Sequence, residues 1–195
     1  MVVPHTAGFA VDRELVVRAR GGDRDAFARL AAAAISRLDG TARLITRDPE
    51  RAKDAVQEAL TRCWRDLPTL RDPDRFDAWL HRLLVRACID ELRRARARPM
   101  EVSLTELHHP TVGDSAAALA DRDALERGFR RLDPEQRAVV VLHYYLGLSL
   151  ADVAEALDLP AGTAKSRLSR AMSRLRAALD ADARGRSELM EGRPA

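Results

Sequence analysis

Two of the chain's three Asp-Pro pairs constrain it more than any other feature. Asp48-Pro49 and Asp133-Pro134 each offer a carboxylate that can accept hydrogen bonds from free amide groups. A proline follows whose fixed φ suits the first helical position, where its missing N–H is not needed. Gln136 lies three residues after Asp133 and completes a capping box. Behind the first pair, Val56, Leu60, Cys63 and Leu67 recur at spacings of 4, 3 and 4, one face of a helix. Behind the second come Val139, Val140, Leu142 and Leu146. β-Branched residues are sparse while Ala, Leu and Arg dominate, so the expected fold class is all-α.

The punctuation divides the chain into two small helical domains. In the first, residues 1–98, one helix runs from about Asp12 to Arg20 and stops at Gly21-Gly22. A second starts near Asp25 and runs towards Leu44, with a break expected near Gly40. The third is the Asp48-Pro49 helix, which Pro68 ends. Thr69 to Arg75 reads as a charged loop, and a fourth helix spans about Phe76 to Arg98 with Leu80, Leu83, Leu84, Ala87 and Leu92 inward. Residues 99–120 read as an acidic flexible linker, with Pro99, Pro110 and Gly113 and a nascent helix near Ser115 to Arg127. The second domain, residues 121–180, holds the Asp133 helix, a short helix capped by Ser149, the turn Asp158-Leu159-Pro160 and a last helix from about Ala161 to Leu179. Residues 181–195 read as a frayed tail.

Charge and composition narrow the function. The chain carries 33 Lys+Arg against 30 Asp+Glu in 195 residues, so a general polycation is excluded and any nucleic-acid surface must be local. Only Lys53 and Lys165 are lysine; every other basic residue is arginine. No run of 18 apolar residues exists, so no membrane insertion is expected, and Met1 to Ala10 lack the pattern of a secretion signal. Cys63 and Cys88 are isolated and fit a reducing, cytoplasmic setting. Neither a catalytic carboxylate pair, a Walker glycine loop nor a metal-ligand set is recognisable, and His108-His109 without neighbouring ligands do not make one. The expectation is a binding protein without cofactors, not an enzyme.

Two basic helices are the candidate DNA surfaces. The short helix, turn and last helix form a helix-turn-helix pattern, whose second helix enters the major groove. From Thr163 to Arg176 that helix has five basic residues and no acid. With Leu168, Ala171 and Leu175 inward, Thr163, Lys165, Ser166, Ser169 and Arg170 share the outward side, and Arg167 adds to its charge. The first domain supplies Arg71 and Arg75 from its loop, then Trp79, Arg82, Arg86, Arg93 and Arg94 from its fourth helix. Aromatic rings among arginines suit unpaired bases, which stack on either; Trp79 taken alone reads as a core residue before it reads as a platform.

On the third helix, Asp54, Gln57, Glu58 and Thr61 share a polar side opposite the apolar stripe. This D-x-x-Q-E pattern, with Trp64 six residues after Glu58, resembles the core-polymerase-binding helix of bacterial sigma factors. "GDRDAFARL" from Gly22, "FDAWLHRLLVRACIDELRR" from Phe76 and "LDPEQRAVVVLHYYLGLSLADVAEALDLPAGTAKSRLSRAMSRLRAAL" from Leu132 resemble, in the same order, the family's opening helices, its −10-reading helix and its −35-reading domain. The chain is similar to extracytoplasmic-function (group four) sigma factors of the sigma-70 superfamily, which keep only sigma domains 2 and 4. The resemblance implies that Asp54, Gln57, Glu58 and Thr61 dock on the β′ clamp helices of core RNA polymerase, and that the second domain sits near the β flap. It implies that the fourth helix and the Thr69–Arg75 loop capture the −10 strand and assist its opening, while Thr163 to Arg170 read the −35 element. It also implies an alternative, stress- or signal-responsive sigma factor that an anti-sigma factor can hold. The chain departs from the family's common pattern at Val85-Arg86, at His143 and at Ala164.

Overall fold

The computed structural model describes residues 12–97 and 116–191, and among them every regular element is helical. Helices α1 (Arg13–Arg20), α2 (Arg24–Thr46), α3 (Pro49–Asp66) and α4 (Phe76–Ala97) form the first unit. Helices α5 (Ala116–Arg130), α6 (Pro134–Val140), α7 (Leu150–Leu157) and α8 (Ala161–Glu191) form the second.

Side-chain caps start most of these helices. Asp12, Asp23 and Asp48 each accept two amide hydrogen bonds at the start of α1, α2 and α3. The Asp133–Gln136 capping box opens α6, and Ser149 accepts from the Asp152 amide to open α7. Gly22, at φ 94°, turns the chain between α1 and α2, in the left-handed region glycine enters at no steric cost. Between α3 and α4 the chain makes two single 3-10 turns, Leu67–Thr69 and Pro73–Arg75.

The structure departs from the sequence expectations in three places. Helix α2 passes Gly40 without a break. Alanine-rich flanks sustain it, and the Tyr145 hydroxyl stands 3.4 Å from where a Cβ on Gly40 would lie. The helix begun by α6 does not run as an α-helix to Leu146. It widens to a π turn over Val141–Tyr145, marked by the Leu146 amide donating to the Val141 carbonyl at 3.1 Å. Helix α5 forms where a helix near Ser115 to Arg127 was expected, and the remaining linker residues, His108 and His109 among them, lie outside the described residues. Helix α8 continues to Glu191 through most of the expected frayed tail. Ala181, Asp182, Ala183 and Arg184 are acceptable helix residues, and Asp182 is tied to Arg127 of α5 at 2.8 Å.

One apolar core runs through both units, from Val16, Leu38, Leu67, Leu80 and Leu84 to Val139, Leu142, Val153 and Leu175. In the first unit α3 packs on α2 and α4; in the second α8 is the spine against which α5, α6 and α7 lie. Helix α5 meets α8 closely at Gly128, where a Cβ would come within 3.1 Å of Leu175. The units also touch directly: α4 packs on α6 and α7, and α2 packs on α6.

Candidate nucleic-acid interface

The polar side of α3 is left unused by the fold. Asp54, Gln57 and Thr61 are exposed and Glu58 is half-buried, while Ala52, Ala55, Val56, Ala59 and Cys63 face the core. Glu58 accepts from Arg62 at 2.7 Å, and Arg62 reaches across to Asp90 of α4 at 3.2 Å, so one carboxylate of this face is held in place. The Thr61 hydroxyl donates back to the Gln57 carbonyl at 2.8 Å. Gln57 and Thr61 also line a groove of about 930 Å³ between α2 and α3. Phe27, Ile35, Val56, Leu60 and Trp64 supply its apolar surface, and Phe27 and Trp64 meet at a ring distance of 5.0 Å. The sequence signal for this groove was Ile35, an isoleucine of α2 that stands 47% exposed beside it.

Helix α4 carries the first arginine row. Arg71 and Arg75 are exposed on the loop before it; Arg86, Arg93 and Arg94 are exposed along it, and Arg82 is half-buried. Trp79 is half-buried, packs against the core and lies 6.2 Å from the Phe76 ring, so its ring is shared between the interior and the surface. Arg94 pairs with Glu91 of its own helix at 3.0 Å.

In the second unit, α7 and α8 are joined by the turn at Asp158, whose φ of 55° makes it a left-handed helix cap. Lys165, Ser166, Ser169 and Arg170 stand exposed on the first half of α8 and Thr163 is half-buried beside them, as the outward side required. Arg167 does not stand with them: it is half-buried and pairs with Glu135 of α6 at 2.7 Å. His143 donates from Nδ1 to the Leu148 carbonyl at 2.8 Å, closing the π turn onto the chain that leads into α7.

The structure brings together residues that the sequence reading did not connect. Glu155 of α7 accepts from Arg82 at 2.8 Å and Arg75 at 3.4 Å. Asp158 lies 4.0 Å from Arg86, and Glu135 lies 3.4 Å from Arg93. Arg137 of α6, 8% exposed, donates from Nε to the Ile45 carbonyl at the end of α2, 2.8 Å away, and from Nη1 to the Leu132 carbonyl. Nearby, Arg47 pairs with Glu126 at 3.1 Å; burial, then the adjacent Arg130, pull its guanidinium pKa below the ordinary value. An arginine directly before the apolar run Ala138-Val139-Val140 was the available signal for the Arg137 contact.

A helix-turn-helix with a basic second helix, joined to a four-helix unit bearing another arginine row, defines a helical DNA-binding protein. Comparison with known proteins gives the family. Residues 30–98 match sigma-70 region 2, and residues 122–175 match sigma-70 region 4. The ECF RNA polymerase sigma factor SigM of Mycobacterium tuberculosis is 40% identical over 164 residues, 84% of this chain and 82% of that protein. The RNA polymerase sigma-E factor of Streptomyces coelicolor is 36% identical over 147 residues, 74% of this chain and 82% of the relative. The solved structure of CnrH in complex with the cytosolic domain of CnrY superposes with a TM-score of 0.61 at 30% identity, covering 88% of this chain and 99% of that one. The sigma factor RpoE of Bartonella quintana, solved with the anti-sigma factor NepR, shares the fold with a TM-score of 0.62 at 24% identity, over 79% of this chain and 96% of that one. The chain belongs to the sigma-70 family, in its extracytoplasmic-function branch.

Proposed function

We propose that this sigma factor binds core RNA polymerase through the α3 face and reads promoter DNA with α4 and α8. Asp54, Gln57, Glu58 and Thr61 dock on the β′ clamp helices, and the second unit sits near the β flap. Arg71, Arg75, Trp79, Arg82, Arg86, Arg93 and Arg94 serve the −10 element, and Thr163, Lys165, Ser166, Ser169 and Arg170 serve the −35 element. Arg167 joins the −35 surface once Glu135 releases it. The observation that carries the reading is the α3 face itself: Asp54, Gln57 and Thr61 are exposed polar groups on a helix whose other side is fully committed to the core.

The division of labour follows from physical chemistry. Arginines along α4 lower the cost of holding a strand whose bases have been unstacked, a few kcal/mol for an extruded base, and a half-exposed Trp79 offers a stacking surface. Exposed polar and basic groups on the first half of α8 can meet base edges and phosphates in a major groove. The chain acts as a specificity subunit, with catalysis supplied by the core enzyme, and it works in the cytoplasm where polymerase and promoters are. Among the described residues no helix is long and apolar enough to cross a membrane. An anti-sigma factor is a further partner: the sigma factor RpoE of Bartonella quintana is solved in complex with the anti-sigma factor NepR, and a protein seated across both units here would deny them to polymerase and promoter.

Gln57→Ala combined with Glu58→Ala tests the docking face. The double variant should bind core polymerase at least tenfold more weakly, about 1.4 kcal/mol, with an unchanged far-UV circular dichroism spectrum. Unchanged affinity for core would remove α3 from the assignment.

A further inference from the structure

One residue of α3 stands between the docking face and the helix behind it. Arg62 follows Glu58 by four positions, the spacing and order in which an acid and a base pair well along a helix. Its Nε donates to Glu58 Oε1 at 2.7 Å, while Nη1 and Nη2 both donate to Asp90 Oδ2 of α4 at 3.2 Å. All three guanidinium nitrogens are thus engaged, and carboxylates on two different helices fix the plane of the group. Asp66, one turn further along α3, does not compete, because Arg65 holds it at 2.7 Å. The hydrogen bond to Glu58 does most to raise the Arg62 pKa, burial opposes it and the bond to Asp90 adds to the rise, so the bridging cation is permanent.

Glu58 is therefore treated differently from its neighbours. Asp54 and Gln57 stand exposed, whereas the Glu58 side chain, 42% exposed, is tied by an arginine that is itself 23% exposed. A long flexible acid loses rotamer freedom when a partner grips it, and one already held in a single geometry loses less. Arg62 takes only Oε1, so among the described residues Oε2 is left to a donor of the partner. Glu58, Arg62 and Asp90 together still carry one net negative charge, so the bridge orders the carboxylate without erasing the acidic spot. We infer that Arg62 is a positioning residue for polymerase binding: anchored by Asp90 of α4, it holds the Glu58 carboxylate in the geometry that the clamp helices engage. The inference rests on the assignment of Glu58 to the docking face. A bridge that only joined α3 to α4 would act on stability alone. A positioning residue acts on binding, and only while Glu58 is there to be positioned.

A double-mutant cycle on the full chain separates these roles. The fluorescently labelled chain is titrated with core RNA polymerase, and each variant is also melted thermally. Arg62→Ala should weaken core binding about two- to tenfold, the range that coupling within one ion-pair network gives. Asp90→Asn keeps the Arg62–Glu58 pair but removes the charge that anchors it, and should weaken binding in the same direction by less. Glu58→Ala should weaken binding by itself, and adding Arg62→Ala or Asp90→Asn to it should cause no further loss. An Arg62→Ala loss of equal size with and without Glu58→Ala overturns the inference and makes Arg62 a structural bridge. A lower Tm for Arg62→Ala at parental core affinity does the same. Parental affinity for Asp90→Asn overturns the anchoring by α4. Each of these results leaves Glu58 on the docking face. Parental affinity for Glu58→Ala instead removes Glu58 from that face, and the inference falls with the reading it rests on.

Discussion

At the residue scale, the described interior is apolar with a few polar exceptions, and each exception has a reason that can be probed. Leu38 and Leu84 are fully buried in the first unit. Truncation of either to alanine should cost about 2–5 kcal/mol through lost transfer energy and the cavity left behind, measured by urea unfolding. His81, 3% exposed, is a different case. Its Nδ1 hydrogen-bonds the Asp77 carbonyl at 2.9 Å, and among the described residues its Nε2 has no hydrogen-bond partner. Burial lowers its pKa; the Asp77 carboxylate pulls the other way and Arg37 adds to the lowering. The imidazole is therefore neutral in the folded chain where the unfolded chain would already bind a proton. Stability is fully present above the ordinary histidine value near 6.5 and falls as pH drops below it. In a pH series of thermal melts, His81→Gln should flatten this part of the curve and leave the carboxylate-driven loss at lower pH in place.

Asp48 contributes to that acid limb. Partial burial raises its carboxyl, but the Arg51 amide, the Arg51 guanidinium and the Glu50 amide together outweigh burial and hold the pKa below the usual carboxylate value. Its cap is present at neutral pH and is lost as pH falls through that lowered value. The two cysteines lie at the other extreme. Burial pushes the Cys63 and Cys88 thiols up to about 12, so both are inert packing groups rather than reactive thiols.

At the scale of the element, most of the structure was legible because helix starts are local chemistry. Asp48-Pro49, the Asp133–Gln136 box and Ser149 act on amides two or three residues away, and no distant contact is needed to read them. Ser149→Ala should lower stability by about 0.5–2 kcal/mol, seen as a lower Tm, with the loss centred on α7. Ends and interruptions were less legible, since tertiary contacts decide them. Gly40 reads as a break, yet α2 runs through it without interruption, with the Tyr145 hydroxyl close beside it. The run after Asp158 reads as ending near Leu179, yet the Arg127–Asp182 pair lies beyond that point on a continuous helix. The outward side of α8 followed from the inward spacing of Leu168, Ala171 and Leu175, which the structure reproduces. Lys165 is exposed there as a point charge. Lys165→Ala should weaken binding of holoenzyme to −35 duplexes evenly across sequences and reduce the salt slope by about 0.9, measured by a salt titration. A loss confined to one base pair, about 1–3 kcal/mol, would instead make it a base contact.

At the scale of the molecule, charge has a spatial meaning that its total conceals. The near balance of 33 basic and 30 acidic residues excluded a general polycation. In three dimensions Arg75, Arg82, Arg86 and Arg93 meet carboxylates that lie between 42 and 80 residues further along the chain. Such pairings carry no local sequence signature, so the sequence placed the arginines on their helices but could not show what covers them. The α3 face was legible for the opposite reason: its residues sit at helical spacing, and nothing in the described structure is brought over Asp54, Gln57 or Thr61. The proposed polymerase-docking and promoter-reading residues fall on different surfaces of one chain.

Promoter-directed run-off transcription by the purified full chain with core RNA polymerase tests that claim most directly. The account predicts a discrete transcript from a cognate promoter that requires this chain and disappears with Gln57→Ala and Glu58→Ala. Tight, specific duplex binding by the chain without core, and no transcript with it, would contradict the account.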